Sequence, residues 1–328
     1  MNSEYILNKI KLLQNVPVKD NFVLFDVTDA DTLKSIFYGT DSNHNPVFVI
    51  ESLIPQMNSQ IQNTKKLFFS SNTKCEMIIN GEKFEKTVHI LTCLGTQLDE
   101  QLAFVRLTES FSKHFTSSNP QILNELFSAL VNLFAQGGKF NIFELQGLFT
   151  ELYVIKYFRD NGLNISSFWQ KQNKLNFDFT INRKKRMEVK STLQSNRTHH
   201  FKHEQLLSEL YDIVIVSCLL RKDDAGLSLF DLINEVRVIC ASDYRSLLYI
   251  EQFIKNISDD KLHEMKYDQT YIEKNIRFFP GSSVPKFNET QPNGVTHTEY
   301  NSNLSMASQI PLSAVIEWFN DVEDETNV

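Results

Sequence analysis

The sequence predicts an α+β protein in which a β-rich N-terminal domain and a helical connector precede an α/β core with the element order αβββαβ. Three observations predict this class. Residues 1–96 contain short segments rich in β-branched and aromatic residues, separated by turn signals such as Asn80-Gly81. Residues 97–140 have the apolar spacing of amphipathic helices. Residues 141–225 mix helical and strand-like segments, and 226–328 form an α+β extension that ends in an acidic tail.

The first two parts of the chain have no spacing typical of metal ligands or of a nucleophile. A short helix over residues 4–14 is followed by predicted strands at 22–27, 46–51, 65–71, 75–80 and 87–94. The connector holds one helix over 99–114 and a second from Pro120 to the helix stop at Gly137-Gly138. We therefore predict that the β-rich domain serves target contact or subunit assembly.

The core begins with a predicted helix over residues 145–161, where apolar side chains recur at three- and four-residue spacing before Gly162. Strands are predicted at 165–169, 176–181 and 186–192, the last two joined by a polar hairpin turn. A helix is predicted from His199 through residue 210, and an apolar strand at 212–220. In the extension, helices are predicted at 226–237, 246–256 and 314–319, with strands at 271–279 and 295–301.

The charge is distributed unevenly along the chain. The net charge is −7, yet residues 171–202 contain nine Lys/Arg and two Asp/Glu, a local balance of +7. The rest must then sum to −14, and the tail from Glu317 onward holds five acids and no base. A basic segment in an acidic chain is compatible with nucleic-acid binding at that segment.

Other features narrow the class of protein. The four cysteines form no CxxC pair, which favours a reducing cytoplasm and argues against a zinc ribbon or a disulfide framework. The N-terminus lacks a signal-peptide pattern, and no stretch approaches the roughly 20 apolar residues of a membrane span. We therefore predict a soluble cytoplasmic protein. The absence of GxSxG, HExxH and a nucleotide-binding Gly-rich loop excludes the hydrolase classes that depend on them.

Asp178 and the Glu188-Val189-Lys190 segment carry the predicted chemistry. Residues two apart in a strand face the same side, so Glu188 and Lys190 point together. If the two strands pair as a hairpin, Asp178 lies beside them. Phosphodiester hydrolysis needs charge stabilisation and an activated water, and Mg²⁺ held by one or two carboxylates supplies both. The lysine would position or deprotonate that water, or stabilise charge on phosphorus.

This arrangement resembles the PD-(D/E)xK phosphodiesterase superfamily, in a bacterial branch associated with restriction and phage defence. The matching stretches are Gly147-Leu148, Glu151-Leu152, Trp169, Asp178-Phe179, Glu188 to Thr192, Gln205-Leu206 and residues 226–237. Phe177 stands where the superfamily name has proline. The resemblance implies a restriction-endonuclease-like core that cleaves DNA with Mg²⁺, or with Mn²⁺ in its place. It further implies a methyltransferase, ATPase or helicase partner, and duplex cleavage makes a homodimer reasonable.

The resemblance also assigns roles by position. Asp178 and Glu188 would be metal ligands, Lys190 the catalytic lysine, and Glu151 an accessory acid that reaches the metal or its water. Gln205 would position phosphate or water. Arg183, Lys184, Lys185, Arg186 and Lys202 are the predicted DNA-phosphate contacts.

Each assignment has a simpler alternative. Asp178, Glu188 and Lys190 could form ordinary ion pairs on an exposed hairpin, Glu151 and Gln205 could be unremarkable helix residues, and the basic turn could only aid solubility. His199 and His203 have the spacing of zinc ligands on a helix, although phosphate contact or plain surface is favoured. Trp169 is predicted to pack at the core edge or to stack. For the whole chain, the alternatives are a non-catalytic DNA-binding or assembly subunit and an RNA-directed or repair nuclease.

Overall fold

A computed structural model of the chain describes residues 3–13, 22–27, 35–52, 60–114, 120–135, 142–170, 177–207, 209–241, 243–254, 257–287, 295 and 297–321. The predicted helix stop at Gly137-Gly138 and residues 322–328 of the acidic tail lie outside these residues. The chain forms two compact units, Met1–Gly138 with Ala241–Asn256, and Lys139–Cys240 with Ile257–Val328. The division into four parts stays a prediction.

The α-helices are α1 (Ser3–Leu13), α2 (Leu98–His114), α3 (Pro120–Ala135), α4 (Ile142–Asp160), α5 (Leu229–Ile239), α6 (Tyr244–Ile254), α7 (Asp259–Glu264), α8 (Gln269–Asn275) and α9 (Leu312–Asn320). The strands are β1 (Phe22–Asp26), β2 (Ile36–Thr40), β3 (Pro46–Glu51), β4 (Gln60–Asn63), β5 (Leu67–Ile79), β6 (Glu82–Cys93), β7 (Phe179–Thr180), β8 (Lys185–Thr192), β9 (Thr198–Lys202), β10 (Asp212–Leu219), β11 (Lys222–Ser228), β12 (Lys266–Tyr267), β13 (Arg277–Pro280) and β14 (Glu299–Asn303). None of the helices in the described ranges has the length and apolar character that crossing a membrane requires.

The first unit is built around a six-stranded sheet that closes on itself. The strand order is β1-β2-β3-β6-β5-β4, and β1 also pairs in parallel with β5. Apolar side chains from five of these strands, Leu24, Phe37, Val47, Val49, Met77, Ile79, Val88 and Ile90, form the interior cluster. The sequence patterns missed β2 and β4 and split β5 into two segments, because the bulge between Ser70 and Thr73 interrupts the alternation.

The second unit contains the four-stranded sheet β13-β10-β8-β7. Strands β8 and β10 are parallel, with Glu188 opposite Ile215 and Lys190 opposite Ser217. Neighbouring residues in register share a face, so Glu188 and Lys190 lie on the face of Ile215. Ile215 packs there in a buried apolar cluster that includes Phe201, Leu206 and Phe279. The predicted α+β class is confirmed.

The predicted helix from His199 is wrong. Residues Thr198–Lys202 form strand β9, which pairs antiparallel with β14, and a short 3-10 helix follows over His203–Leu206. His199 and Phe201 are buried while His200 and Lys202 are exposed, which is the two-residue period of a strand. The connection from β8 to β10 is therefore a strand and a 3-10 turn, since pairing with a partner about 100 residues away outweighs the local helical spacing.

Three smaller expectations are also corrected. Residues Ser166–Phe168 form a 3-10 turn rather than a strand. The segment 271–279 divides into the end of α8 and strand β13, because Asp268 caps α8 by accepting the Tyr271 amide at 2.9 Å. Residues 226–228 belong to β11, where a Cβ on Gly226 would lie 2.3 Å from the Tyr267 carbonyl oxygen.

Candidate active site

The β7–β8 hairpin places Asp178 beside the Glu188-Val189-Lys190 segment. Asp178 directly precedes β7, and its Oδ2 accepts the backbone N–H of Val189 at 2.7 Å. Phe179 and Met187, which pair across the hairpin, are fully buried and anchor the two strands. The backbone of β8 thus fixes the Asp178 carboxylate next to the residue that lies between Glu188 and Lys190.

Glu188, Lys190 and Gln205 form a hydrogen-bonded triangle. The Lys190 ammonium lies 2.7 Å from Glu188 Oε1 and donates to Gln205 Oε1 at 3.1 Å. Gln205 Nε2 donates to the same Glu188 Oε1 at 2.5 Å. The 3-10 turn holds Gln205 in place, because its Oε1 also accepts the Lys202 amide at 3.1 Å. Gln205 therefore lies on this turn and not on an α-helix, and it contacts both Glu188 and Lys190.

Phe201 lies beneath the lysine. The Lys190 ammonium is 5.2 Å from the centre of the Phe201 ring, which is fully buried. Such a placement favours the cation through the negative face of the ring. This contact was not predicted, although the alternation of His199 and Phe201 with polar neighbours indicates a strand with Phe201 on its buried face.

The electrostatics of the cluster follow from its burial. Burial and then the neighbouring Asp178 raise the pKa of Glu188 to about 8. Burial also raises the pKa of Asp178, against the opposing effects of Lys190 and the Val189 amide. Burial alone would lower the pKa of Lys190, but the Glu188 and Asp178 carboxylates outweigh it and raise the pKa. The site thus keeps its lysine charged and holds protons that a bound cation would displace.

Glu151 joins the cluster from helix α4. Burial first, and then the charge of Asp178, raise its pKa well above the usual range. Its Oε2 accepts the indole N–H of Trp169 at 2.7 Å, which works in the opposite direction. Trp169 was predicted only to pack or stack, so its hydrogen bond to Glu151 was missed. Because it joins two segments 18 residues apart, no local pattern indicates it.

The hydrogen bonding of Glu188 bears on whether these residues could hold a metal ion. Its Oε2 is buried and has no hydrogen-bond partner among the residues that the structure describes. A buried carboxylate oxygen in that condition carries a desolvation cost, which coordination of a cation would relieve. Asp178 and Glu188 supply carboxylate oxygens, and Mg²⁺ in proteins is usually bound by one or two carboxylates. These two carboxylates therefore fit a divalent metal.

Glu151 was predicted as a third metal ligand, and its surroundings support that role less than those of Asp178 and Glu188 support theirs. Within the described residues, no group of three or more His, Cys, Asp or Glu side chains is arranged to hold a metal ion. One oxygen of Glu151 is already directed to Trp169. The structure thus brings Glu151 to the cluster without placing it as a third ligand.

The predicted DNA contacts differ in their surroundings. Arg183, Lys184 and Lys202 are exposed, whereas Lys185 is only 7% exposed. Lys185 Nζ donates to the carbonyl oxygens of Trp318, at 2.6 Å, and of Asp321, both at the end of helix α9. Lys185 therefore caps α9 and is not available to a DNA phosphate.

Arg186 is also occupied locally. Its guanidinium donates to three carbonyl oxygens of its own turn and lies 4.5 Å from the centre of the Tyr211 ring. The exposed end of the turn is some distance from the carboxylates, since Lys184 precedes Glu188 by four residues, roughly 13 Å along a strand. These cations flank the candidate site and do not line it.

The two histidines with zinc-like spacing lie on different structures. His199 is buried in β9, where its Nε2 lies 2.7 Å from Ser217 Oγ, and burial lowers its pKa to about 4. His203 begins the 3-10 turn and lies 3.4 Å from the Tyr300 hydroxyl. The spacing of four residues therefore does not correspond to one face of a helix, which removes the basis for a zinc pair.

Comparison with protein families gives one match that spans most of the chain. A family model described as "Putative PD-(D/E)XK family member, (DUF4420)" matches residues 13–305 of the 328. No curated protein and no solved structure matches the chain. The matched range includes Asp178, Glu188 and Lys190, together with Glu151 and Gln205.

Proposed function

The chain belongs to the PD-(D/E)XK family (DUF4420), a group with nuclease-type function, and from this premise we propose that it is a metal-dependent DNA endonuclease. The observation that carries the proposal is the convergence of Asp178, Glu188 and Lys190 on one hairpin, where Glu188 Oε2 is buried without a hydrogen-bond partner in the described part of the chain. The biological setting that we propose is bacterial restriction or phage defence, in the cytoplasm.

Asp178 and Glu188 would hold the metal, with Mg²⁺ as the natural ion and Mn²⁺ as a substitute. When bound, such an ion activates water and stabilises charge on the phosphate. The chain's own residues do the remaining work. The Val189 amide fixes Asp178, and Gln205 fixes Glu188 against Lys190. The Lys190 ammonium, kept charged by its neighbours, orients the attacking water or stabilises the developing negative charge.

DNA would approach the edge of the sheet. Among the described residues, β7 is the last strand on this side of the sheet, so Asp178, which directly precedes it, lies near that edge. Glu188 lies on the adjacent inner strand β8. Arg183, Lys184 and Lys202 are the exposed cations that we propose as phosphate contacts. Lys185 and Arg186 are left out because their donors are taken by backbone carbonyls.

Each chain supplies one such site, and cutting both strands of a duplex needs two. We therefore propose a homodimer on DNA, with a methyltransferase, ATPase or helicase of the same system as a further partner. Modification by such a methyltransferase would distinguish restriction from repair. A repair nuclease would act on unmodified and modified DNA alike.

The direct test is cleavage of supercoiled plasmid DNA by the purified protein in Mg²⁺. Asp178→Asn and Lys190→Ala should each reduce the rate by about a hundredfold or more, because each removes a group from the reacting centre. The matched controls are Asp259→Asn on α7 and Lys222→Ala on β11, both exposed. Equal cutting by wild type and the two site variants would overturn the proposal.

Calorimetry separates the nuclease from a non-catalytic subunit with the same fold. A working site should bind Mn²⁺, and Glu188→Gln should abolish that binding, since it removes the charge of one ligand. DNA binding without any Glu188-dependent uptake of Mn²⁺ would instead favour the non-catalytic subunit. Comparison of DNA and RNA substrates tests the third candidate, an RNA-directed nuclease.

A further inference from the structure

The backbone next to Asp178 is held from two sides. Strand β7 comprises two residues and pairs with β8 at Phe179↔Met187 and Thr180↔Arg186. The segment Trp169-Gln170 contacts the other side of β7. The Gln170 amide donates to the Asp178 carbonyl oxygen at 2.7 Å, and Trp169 forms an antiparallel bridge with Phe179. The backbone of Asp178 is therefore held by the segment that carries Trp169.

The same segment holds the second acid through a side chain. The indole N–H of Trp169 donates to Glu151 Oε2 at 2.7 Å, and the ring is only 2% exposed. A buried indole has little freedom to move, and a hydrogen bond to a carboxylate is stronger than one between neutral groups. Two adjacent residues thus tie Glu151 of helix α4 to Asp178 of the hairpin.

We propose that Trp169 is a positioning residue of the candidate nuclease site, which fixes Glu151 relative to Asp178 through its indole N–H. The effect on catalysis rests on the proposed function. The proposal assigns to Glu151 a role other than metal binding. Because one oxygen is taken by Trp169, the other oxygen of Glu151 is left to hold the attacking water or its proton. Trp169 itself touches no reacting atom.

The first arm of the test is kinetic. Trp169→Phe keeps an aromatic ring and removes the N–H, and we expect kcat for DNA cleavage to fall about ten- to a hundredfold. KM for DNA should stay within about twofold, because the indole is buried away from substrate. In a Glu151→Gln background, the same change should have no further effect beyond about twofold, since the two residues act as a unit.

The chain offers a matched control. Trp318 also donates its indole N–H to a carboxylate at 2.7 Å, in this case Asp212 Oδ2. Trp318→Phe removes a bond of the same type and length outside the candidate site. It should leave kcat unchanged, so any general effect of losing a tryptophan is separated from the effect at Glu151.

The second arm does not depend on cleavage. The chain has two tryptophans, so ¹⁵N-labelled tryptophan gives two indole N–H signals. Glu151→Gln should displace the Trp169 signal and leave the Trp318 signal in place. Asp212→Asn should do the reverse. This arm also decides the proposal if Trp169→Phe fails to fold, because Glu151→Gln leaves the ring intact.

Three outcomes would overturn the proposal. They are a wild-type kcat in Trp169→Phe, a loss of kcat in the double variant equal to the product of the two single losses, and a Trp169 indole signal that does not move in Glu151→Gln. A wild-type protein that cuts no DNA would instead overturn the proposed function. In that case the indole signals would still decide separately whether Trp169 holds Glu151.

Discussion

Gln205 Nε2 donates to Glu188 Oε1 at 2.5 Å, while Gln205 Oε1 accepts from the Lys190 ammonium at 3.1 Å. One amide thus satisfies the acid and the lysine of β8 from the connection that follows them. This use of both ends of the amide depends on a 3-10 turn that projects Gln205 back onto the sheet. A carboxylate at this position could accept from Lys190 but could not donate to Glu188 unless it were protonated.

The first prediction concerns this bridge. Gln205→Leu keeps the approximate size and removes the hydrogen bonds to Glu188 and Lys190, together with the one accepted from the Lys202 amide. Glu188 and Lys190 then lose their common partner. Residues that orient metal ligands from outside typically contribute 10- to 100-fold to metal affinity or activity. We expect Mn²⁺ affinity by calorimetry and kcat to fall by about that factor.

Gln269→Leu is the control for Gln205→Leu. Gln269 Nε2 donates to Glu273 Oε1 at 2.8 Å on the exposed surface of α8, so this variant also breaks a glutamine–glutamate pair. It should bind Mn²⁺ and cut DNA as wild type does. Unchanged Mn²⁺ affinity in Gln205→Leu would contradict the role assigned to the amide.

The second prediction concerns stability without metal. Since the folded-state pKa of Glu188 is raised from 4.5 to about 8, the folded protein binds this proton more tightly than the unfolded chain does. The stabilisation from that proton is present below pH 4.5 and is lost as the pH rises towards 8. In EDTA, wild type should therefore be less stable at pH 8.5 than at pH 5, by on the order of a few kcal/mol.

Glu188→Gln removes that titration and should be more stable than wild type at pH 8.5 in EDTA. At pH 4 the difference should largely disappear, because Glu188 is then protonated in both states. Urea unfolding at the two pH values measures this. A wild type more stable than Glu188→Gln at pH 8.5 would show that Glu188 is held as an anion.

The third prediction concerns His199, whose contribution to stability changes with pH in the opposite direction to that of Glu188. Burial lowers its folded pKa from 6.5 to about 4, so the unfolded chain takes up the proton first as the pH falls. The stability from a neutral His199 is fully present above pH 6.5 and is lost as the pH falls towards 4. His199→Gln should therefore become more stable relative to wild type as the pH falls from 7 to 4.5, measured as the difference between their urea midpoints at each pH. His200→Gln, at an exposed neighbour on the same strand, is the control.

How far the sequence could predict this molecule is clearest at β8. Its alternation of apolar and charged residues, from Met187 to Lys190, indicated a strand with Glu188 and Lys190 on one face, and the register with β10 agrees. Asp178 could be placed because a hairpin is a local structure. A nearby partner was not sufficient by itself, since β2 and β4 were missed although each pairs with the strand that directly follows it.

Contacts with distant partners were beyond such patterns. Strand β9 exists because it pairs with β14, and Lys185 is buried because helix α9 ends over it. Neither partner is close in sequence, with Lys185 and Trp318 separated by 133 residues. A run of four basic residues therefore looked uniform in the sequence, while the structure gives its members different roles.

The fourth prediction tests that difference between adjacent lysines. Lys185 Nζ donates to carbonyl oxygens of Trp318 and Asp321 at the C-terminal end of α9, where a cation also interacts favourably with the helix dipole. Lys185→Met should lower the free energy of unfolding by about 1–3 kcal/mol, because it removes the two hydrogen bonds that the buried ammonium donates to the end of α9.

Lys184 is exposed, so Lys184→Ala should leave the urea midpoint unchanged and weaken DNA binding instead. Lys184→Ala should also reduce the slope of log K against log salt by about one, as expected for one lost phosphate contact. An unchanged salt slope in Lys184→Ala would remove this residue from the proposed DNA contacts, and an unchanged unfolding midpoint in Lys185→Met would remove the cap.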